Sequence, residues 1–164
     1  MLLTVKTPYR VNKNRILRRY ITMAFVPTTQ SEVRAWLERS FAAHDSLDAS
    51  KLADIYAKDA IVQFGNMPLM NGTDELLKFY SGIWDQLEMM HHELESFDMV
   101  ENRIYQSCHI TWQVKNDPQN EKITVPGFGF YHLVTSGEEK GKVSRASYYM
   151  DGAPLMAALE RSRK

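Results

Sequence analysis

The sequence lacks most features that would place it outside ordinary globular proteins. It has one cysteine, Cys108, so no disulfide can form within the chain, and a reducing, cytoplasmic setting is expected. An excess of one charge is also missing: 20 basic and 20 acidic residues cancel. A phosphate-binding surface needs a basic excess, so nucleic acid is not an expected partner. No apolar run approaches the ~20 residues of a membrane-spanning helix, so a membrane is not expected either. There is no Gly-x-Ser-x-Gly elbow, no Gly-x-Gly-x-x-Gly turn and no Lys-bearing phosphate loop. No segment rich in Pro, Gly or Ser divides the chain. At 164 residues it is long enough to bury a core as one domain without a metal or disulfide.

The first acidic residue is Glu32, preceded by Lys6, Arg10, Lys13, Arg15, Arg18 and Arg19. This acid-free, Arg-rich start has the composition of a mitochondrial transit peptide, or of a basic tail or upstream extension. Residues 1–28 are therefore read as a disordered basic extension and residues 29–162 as the domain. Asn71-Gly72-Thr73 matches a glycosylation sequon, which means little without a secretory signal.

Periodicity supplies the elements. Thr29 or Ser31 caps a helix whose apolar stripe is Val33, Trp36, Leu37, Phe41 and His44. A second short helix starts at Asp48 and runs through Leu52, Ile55 and Tyr56. Ala60–Phe64 is a short strand, broken at Gly65-Asn66-Met67-Pro68. Thr73 caps a third helix burying Leu76, Leu77, Tyr80, Ile83 and Trp84. From about Met89 the period becomes alternating, giving strands near 89–100, 103–115, 121–135 and 141–151, separated by turn residues. A short C-terminal helix follows Gly152-Ala153-Pro154. The expected fold is α+β: three N-terminal helices packed on a curved, mostly antiparallel sheet, with a short C-terminal helix.

Alternation also assigns faces. In the strand 103–115, Ile104, Cys108, Ile110, Trp112 and Val114 point toward the helices. In the strand from 89, Met90, His92 and Leu94 point inward, and His91, Glu93 and Glu95 outward. His91 and His92 thus face opposite ways and cannot share one metal, and no metal site is expected. Gly127-Phe128-Gly129 sits within a strand, where glycine more often marks a bend than a ligand site.

Three groups are candidates for chemistry. Asp151 ends the last strand beside Tyr148, Tyr149 and Met150, where partial burial would suit a general acid or base; it is equally a cap for the C-terminal helix. His92 could be its partner, or a satisfied core histidine. His44, beside Asp45, could serve a pocket, or favour the helix C-terminus for its dipole. Cys108 reads as a core residue. Of the aromatics Phe64, Tyr80, Trp84, Trp112, Phe128, Tyr148 and Tyr149, most belong to the core and a subset lines any pocket.

Three features resemble the nuclear transport factor 2-like superfamily, and within it the SnoaL-like branch. They are the Leu52–Phe64 step, Gly65-Asn66-Met67-Pro68-Leu69 before the third helix, and Arg145-Ala146-Ser147-Tyr148-Tyr149-Met150-Asp151 followed by Pro154-Leu155. The resemblance implies a cone-shaped α+β barrel with a pocket between sheet and helices, and a homodimer formed through the outer sheet face. Limonene epoxide hydrolases are similar at Asn66 and Asp151, but their Arg and second Asp fall on Cys108 and Ile110, and their Tyr on Phe64. Ketosteroid isomerases place their base at Phe64. Both reactions are therefore not expected. SnoaL-like cyclases use an Asp that matches Asp151, and scytalone-dehydratase-like enzymes have groups at places comparable to His44-Asp45 and His92.

The resulting expectation is a pocket enzyme that cyclises, isomerises or dehydrates an apolar carbonyl or hydroxyl compound without a cofactor. Asp151 would abstract or relay the proton, His92 would donate one or polarise an oxygen, and Asn66 would hold a water or substrate oxygen. Phe64, His44, Tyr80, Trp84, Cys108, Ile110, Trp112 and Tyr149 would line the pocket. The alternative is a non-catalytic ligand-binding or dimerisation domain of the same fold.

Overall fold

The structure, a computed structural model, describes residues 25–164. Helix α1 spans Gln30–Asp45 and begins with a capping box in which Thr29 Oγ1 accepts from the Glu32 N–H and the Glu32 carboxylate accepts from the Thr29 N–H. Its buried stripe is Val33, Trp36, Leu37, Ser40, Phe41 and His44. Residues 25–28 belong to the packed domain, ahead of the expected boundary. Pro27 is buried, and the Phe25 backbone lies so close to Gly141 that a Cβ there would collide with Phe25 O. The rest of the expected extension, residues 1–24, lies outside the described residues.

The second expected helix is a 3₁₀ segment, Ala49–Asp54, capped by Asp48. Its three-residue period aligns Leu52 with Ile55, but does not carry on to Tyr56. Tyr56 instead opens strand β1, Tyr56–Phe64, four residues earlier than the sequence suggests. A two-residue strand β2, Met70–Asn71, pairs back on β1, and helix α2, Gly72–Trp84, follows with Asn71 rather than Thr73 at its N-cap.

The remaining strands are β3 (Leu87–Val100), β4 (Arg103–Val114), β5 (Lys122–Leu133) and β6 (Val143–Met150), and helix α3 spans Ala153–Arg161. They form one six-stranded sheet in the order β2-β1-β6-β5-β4-β3, mixed because β1 and β6 run parallel. The architecture is α+β, with the apolar core between the helices and one face of the sheet. Trp36 pins α1 to the β5–β6 connection by donating its Nε1–H to Gly141 O at 3.0 Å. Asp117, after β4, holds α3 through a bidentate pair with Arg161 at 3.1 and 2.9 Å. Among the described residues no helix is long and apolar enough to cross a membrane.

Register decides which side chains look inward. The β3–β4 pairing is regular from Met90 to Leu94 and shifts on either side, between Leu87 and Met89 and between Leu94 and Ser96. His92 therefore keeps the inward parity read from the sequence. Beyond the second shift, Phe97 and Met99 turn inward.

Candidate active site

A cavity of about 380 Å³ lies between the sheet and the helices. That volume is enough for a small organic ligand. Its wall is mostly apolar and includes Phe64, Trp84, Cys108, Ile110 and Trp112; Asn66 and Met67 border it at the β1–β2 turn, and Leu155 and Met156 of α3 also line it. Tyr80, His44 and His92 add polar atoms to this wall.

Asp151 and Tyr149 are not there. Tyr148 and Met150 point into the cavity from β6, so alternation turns Tyr149 and Asp151 to the opposite side. Tyr149 is 49% exposed. Asp151 is exposed, and its Oδ1 accepts from the Ala153 N–H at 3.0 Å at the start of α3. The carboxylate expected to act as the base instead accepts a turn hydrogen bond one residue ahead of Gly152, the N-cap of α3, and the expected pocket tyrosine is replaced by its neighbour Tyr148.

The carboxylate that does reach the cavity histidine is Asp45. His92 donates its ring Nδ1–H to Asp45 Oδ1 at 2.6 Å and its backbone N–H to Oδ2 at 3.1 Å. The ring stacks on Phe41 with centroids 4.8 Å apart, and its side chain is 11% exposed. With Nδ1 committed to a carboxylate, Nε2 is the remaining ring nitrogen, and among the described residues it has no hydrogen-bond partner. His91 points outward, 66% exposed, with Nδ1 3.6 Å from Asp45 Oδ2. The Asp45 carboxylate thus sits between the two histidines.

His44 has a different role from His92. It is 6% exposed; Nδ1–H donates to Ser40 O at 2.7 Å, and Nε2 accepts from the Tyr56 hydroxyl at 3.1 Å. Burial, reinforced by the nearby His92, pushes its pKa down to about 4, so the ring is neutral. Tyr56 in turn bonds the Tyr148 hydroxyl. Burial raises the Tyr56 phenol to about 12, and those of Tyr80, Tyr131 and Tyr148 are also raised, chiefly by burial. These hydroxyls act as neutral hydrogen-bonding groups. Burial likewise lifts the Cys108 thiol to about 11, which removes it as a nucleophile near neutral pH.

Several of these residues lay outside the sequence expectations. The residues alone give Asp45 no role beyond closing the first helix beside His44, only the resemblance to scytalone-dehydratase-like enzymes sets it alongside His92, and Tyr56 reads as helical. Gln106 shares the inward parity of Ile104 and Cys108 and lines the cavity. A polar residue on an apolar parity was a signal the alternation offered.

The sequence profile of the SnoaL-like domain matches residues 17–144. The chain belongs to the SnoaL-like domain family. No curated protein matches it. Solved structures similar to this SnoaL-like domain include a candidate SnoaL-like polyketide cyclase from a Jannaschia species. It is 13% identical, with a TM-score of 0.63, over 76% of this chain and 88% of that one. Another is AclR, a candidate hydroxylase from Streptomyces galilaeus, 16% identical, with a TM-score of 0.64 over 81% and 87% of the two chains. A third is TerC, co-crystallised with polyporic acid, at 13% identity and a TM-score of 0.61 over 77% and 96%. At such identities the likeness establishes a shared fold, the nuclear transport factor 2-like α+β architecture, and leaves chemistry to the SnoaL-like domain's own residues.

Proposed function

We propose that this SnoaL-like domain binds an apolar carbonyl or hydroxyl compound and moves a proton on it by cofactor-independent acid–base chemistry. The reaction would be a cyclisation, isomerisation or dehydration. One observation carries the reading: His92 is anchored through Nδ1 on Asp45, with Nε2 free at an apolar cavity. Nε2 takes a proton from carbon next to a carbonyl, and the electron pair moves to the carbonyl oxygen. Asp45 stabilises the imidazolium that forms. Returning the proton from the imidazolium to another carbon isomerises the substrate; passing it to a β-hydroxyl that leaves as water dehydrates it; passing it to the oxygen of a second carbonyl attacked by the carbanion closes a ring. The likeness to a candidate SnoaL-like polyketide cyclase, and to TerC, co-crystallised with polyporic acid, is consistent with a carbonyl-bearing ligand.

The test is α-proton exchange of β-tetralone in deuterium oxide, followed by NMR. Removing a positioned base costs about a hundredfold or more, so His92→Gln should lose at least that much of the catalysed rate. Exchange by His92→Gln at the wild-type rate would remove His92 as the base. Exchange that the wild-type protein does not accelerate favours the non-catalytic reading, a ligand-binding domain with the same cavity.

A homodimer through the outer sheet face is the accompanying proposal. Phe128 and Tyr149 are paired neighbours there, 44% and 49% exposed, and Tyr105 stacks on Phe130 with centroids 5.9 Å apart. Exposed aromatic patches of this kind mark interaction surfaces. Light scattering should give twice the chain mass for the wild type and the monomer mass for Tyr149→Arg.

A further inference from the structure

Among the described residues three buried side-chain polar atoms lack a hydrogen-bond partner, and only Gln106 Oε1 belongs to a residue that lines the cavity. Gln106 is 4% exposed. Its other amide atom, Nε2, reaches only the Tyr131 hydroxyl, at 3.5 Å. Buried carbonyl oxygens are nearly always paired, and leaving one bare is costly. The neighbouring strand keeps room for this side chain. Gly129 pairs with Gln106 on one side and Tyr148 on the other. A Cβ on it would stand 2.9 Å from Gln106 Nε2 and 3.1 Å from Tyr148 Cδ1.

Gln106 is well separated from His92. His92 pairs across to Ile110, four residues further along β4 than Gln106. That puts the two Cα atoms roughly 14 Å apart, at about 3.4 Å per residue along the strand and about 4.8 Å between strands. Cys108 and Ile110 fill the wall between them. Along the sheet side of the cavity His92 and Gln106 are therefore separated by an apolar stretch.

We propose that Gln106 determines specificity by accepting a hydrogen bond from a ligand hydroxyl at the end remote from His92. The ligand class that fits is a fused-ring or similarly extended apolar compound, with the reacting carbonyl near His92 and a hydroxyl at the far end. This deepens the acid–base reading and rests on it for the role of His92, but recognition by Gln106 is measured by binding alone.

The probe is anthraflavic acid, an anthraquinone with one hydroxyl on each terminal ring, compared by calorimetry with its dimethyl ether. A buried acceptor that gains its donor is worth about tenfold in affinity. The wild-type preference for the diol over the diether should therefore fall about tenfold in Gln106→Leu. The same fall should appear when Gln106→Leu is added to His92→Gln. An unchanged preference in Gln106→Leu, or no binding of the diol by the wild type, overturns the proposal.

Thermal denaturation of the ligand-free protein gives a readout independent of any ligand. Because the acceptor is bare, Gln106→Leu and Gln106→Met should melt no lower than the wild type. A clear drop in both means that the amide is structural, and also overturns the proposal. The two readings fail separately. Loss of the tenfold effect with His92-dependent exchange intact removes only Gln106, and the converse removes only the acid–base chemistry.

Discussion

His92 gives both its ring Nδ1–H and its backbone N–H to a single carboxylate, Asp45, at 2.6 and 3.1 Å. Asp45 is the last residue of α1, where the helix dipole disfavours negative charge. A carboxylate held against that field fixes the His92 tautomer and the position of β3 together. Local preference is violated where a site requires it.

Asp45→Asn should leave the fold in place and cut proton transfer by on the order of a hundredfold, because the amide can present its NH₂ to Nδ1 and favour the wrong tautomer. Asp45→Ala should also destabilise, by about 1–3 kcal/mol, since it leaves a part-buried N–H and a ring nitrogen unpaired. Exchange kinetics and urea denaturation of both variants check this. Wild-type exchange rates in Asp45→Asn would separate Asp45 from the chemistry.

How much of this could be read from the sequence depended on period. The stripe Val33, Trp36, Leu37, Phe41 and the alternation through β4 are repeated over many residues, and both elements formed as expected. The inward parity of His92 was legible because its stretch of β3 carries no bulge. Asp151 was misread because the same alternation was not carried through β6, where Tyr148 faces in and so Tyr149 and Asp151 face out. The pairing of Asp45 with His92 joins residues 47 apart, and no local pattern encodes such a contact. Tyr56 failed for a different reason: three residues of 3₁₀ period imitate the start of an α-helical stripe.

Acid stability should report His44. Its folded-state pKa, about 4, lies below its ordinary value of 6.5. The folded form therefore resists protonation more than the unfolded chain does. The stability is complete above pH 6.5 and is lost as pH falls toward 4, by on the order of 3 kcal/mol if this group acts alone. Denaturation free energies measured at steps across that window should fall more steeply in the wild type than in His44→Gln. Parallel slopes in the two proteins would assign the acid sensitivity elsewhere.

The buried tyrosines should be silent in alkaline titration. Of eight tyrosines, Tyr56, Tyr80, Tyr131 and Tyr148 have phenols raised chiefly by burial. Near about pH 11, an ordinary phenol is mostly ionised, yet the tyrosinate absorbance of the folded protein should lack these four. They should appear together, with a loss of near-ultraviolet circular dichroism, when the protein unfolds. Tyr56→Phe should bring that unfolding forward, because it strips the His44 Nε2 of its donor and the Tyr148 hydroxyl of its acceptor. A full complement of tyrosinate in the still-folded protein would contradict the burial of this cluster.

Asp151 provides the contrasting case. Its carboxylate is exposed and bonds only the Ala153 N–H at the start of α3. Asp151→Ala should therefore lower stability by about 0.5–1.5 kcal/mol, the usual net worth of one such hydrogen bond. Because α3 supplies Leu155 and Met156 to the cavity wall, ligand affinity can weaken slightly as the helix start loosens. The rate of proton exchange at saturating ligand should not change, since no atom of Asp151 belongs to the cavity. Asp151→Asn keeps the acceptor oxygen and should retain most of the stability as well. A large loss of saturated rate in Asp151→Asn, with the melting temperature preserved, would return the proton-transfer role to Asp151 and take it from the His92–Asp45 pair.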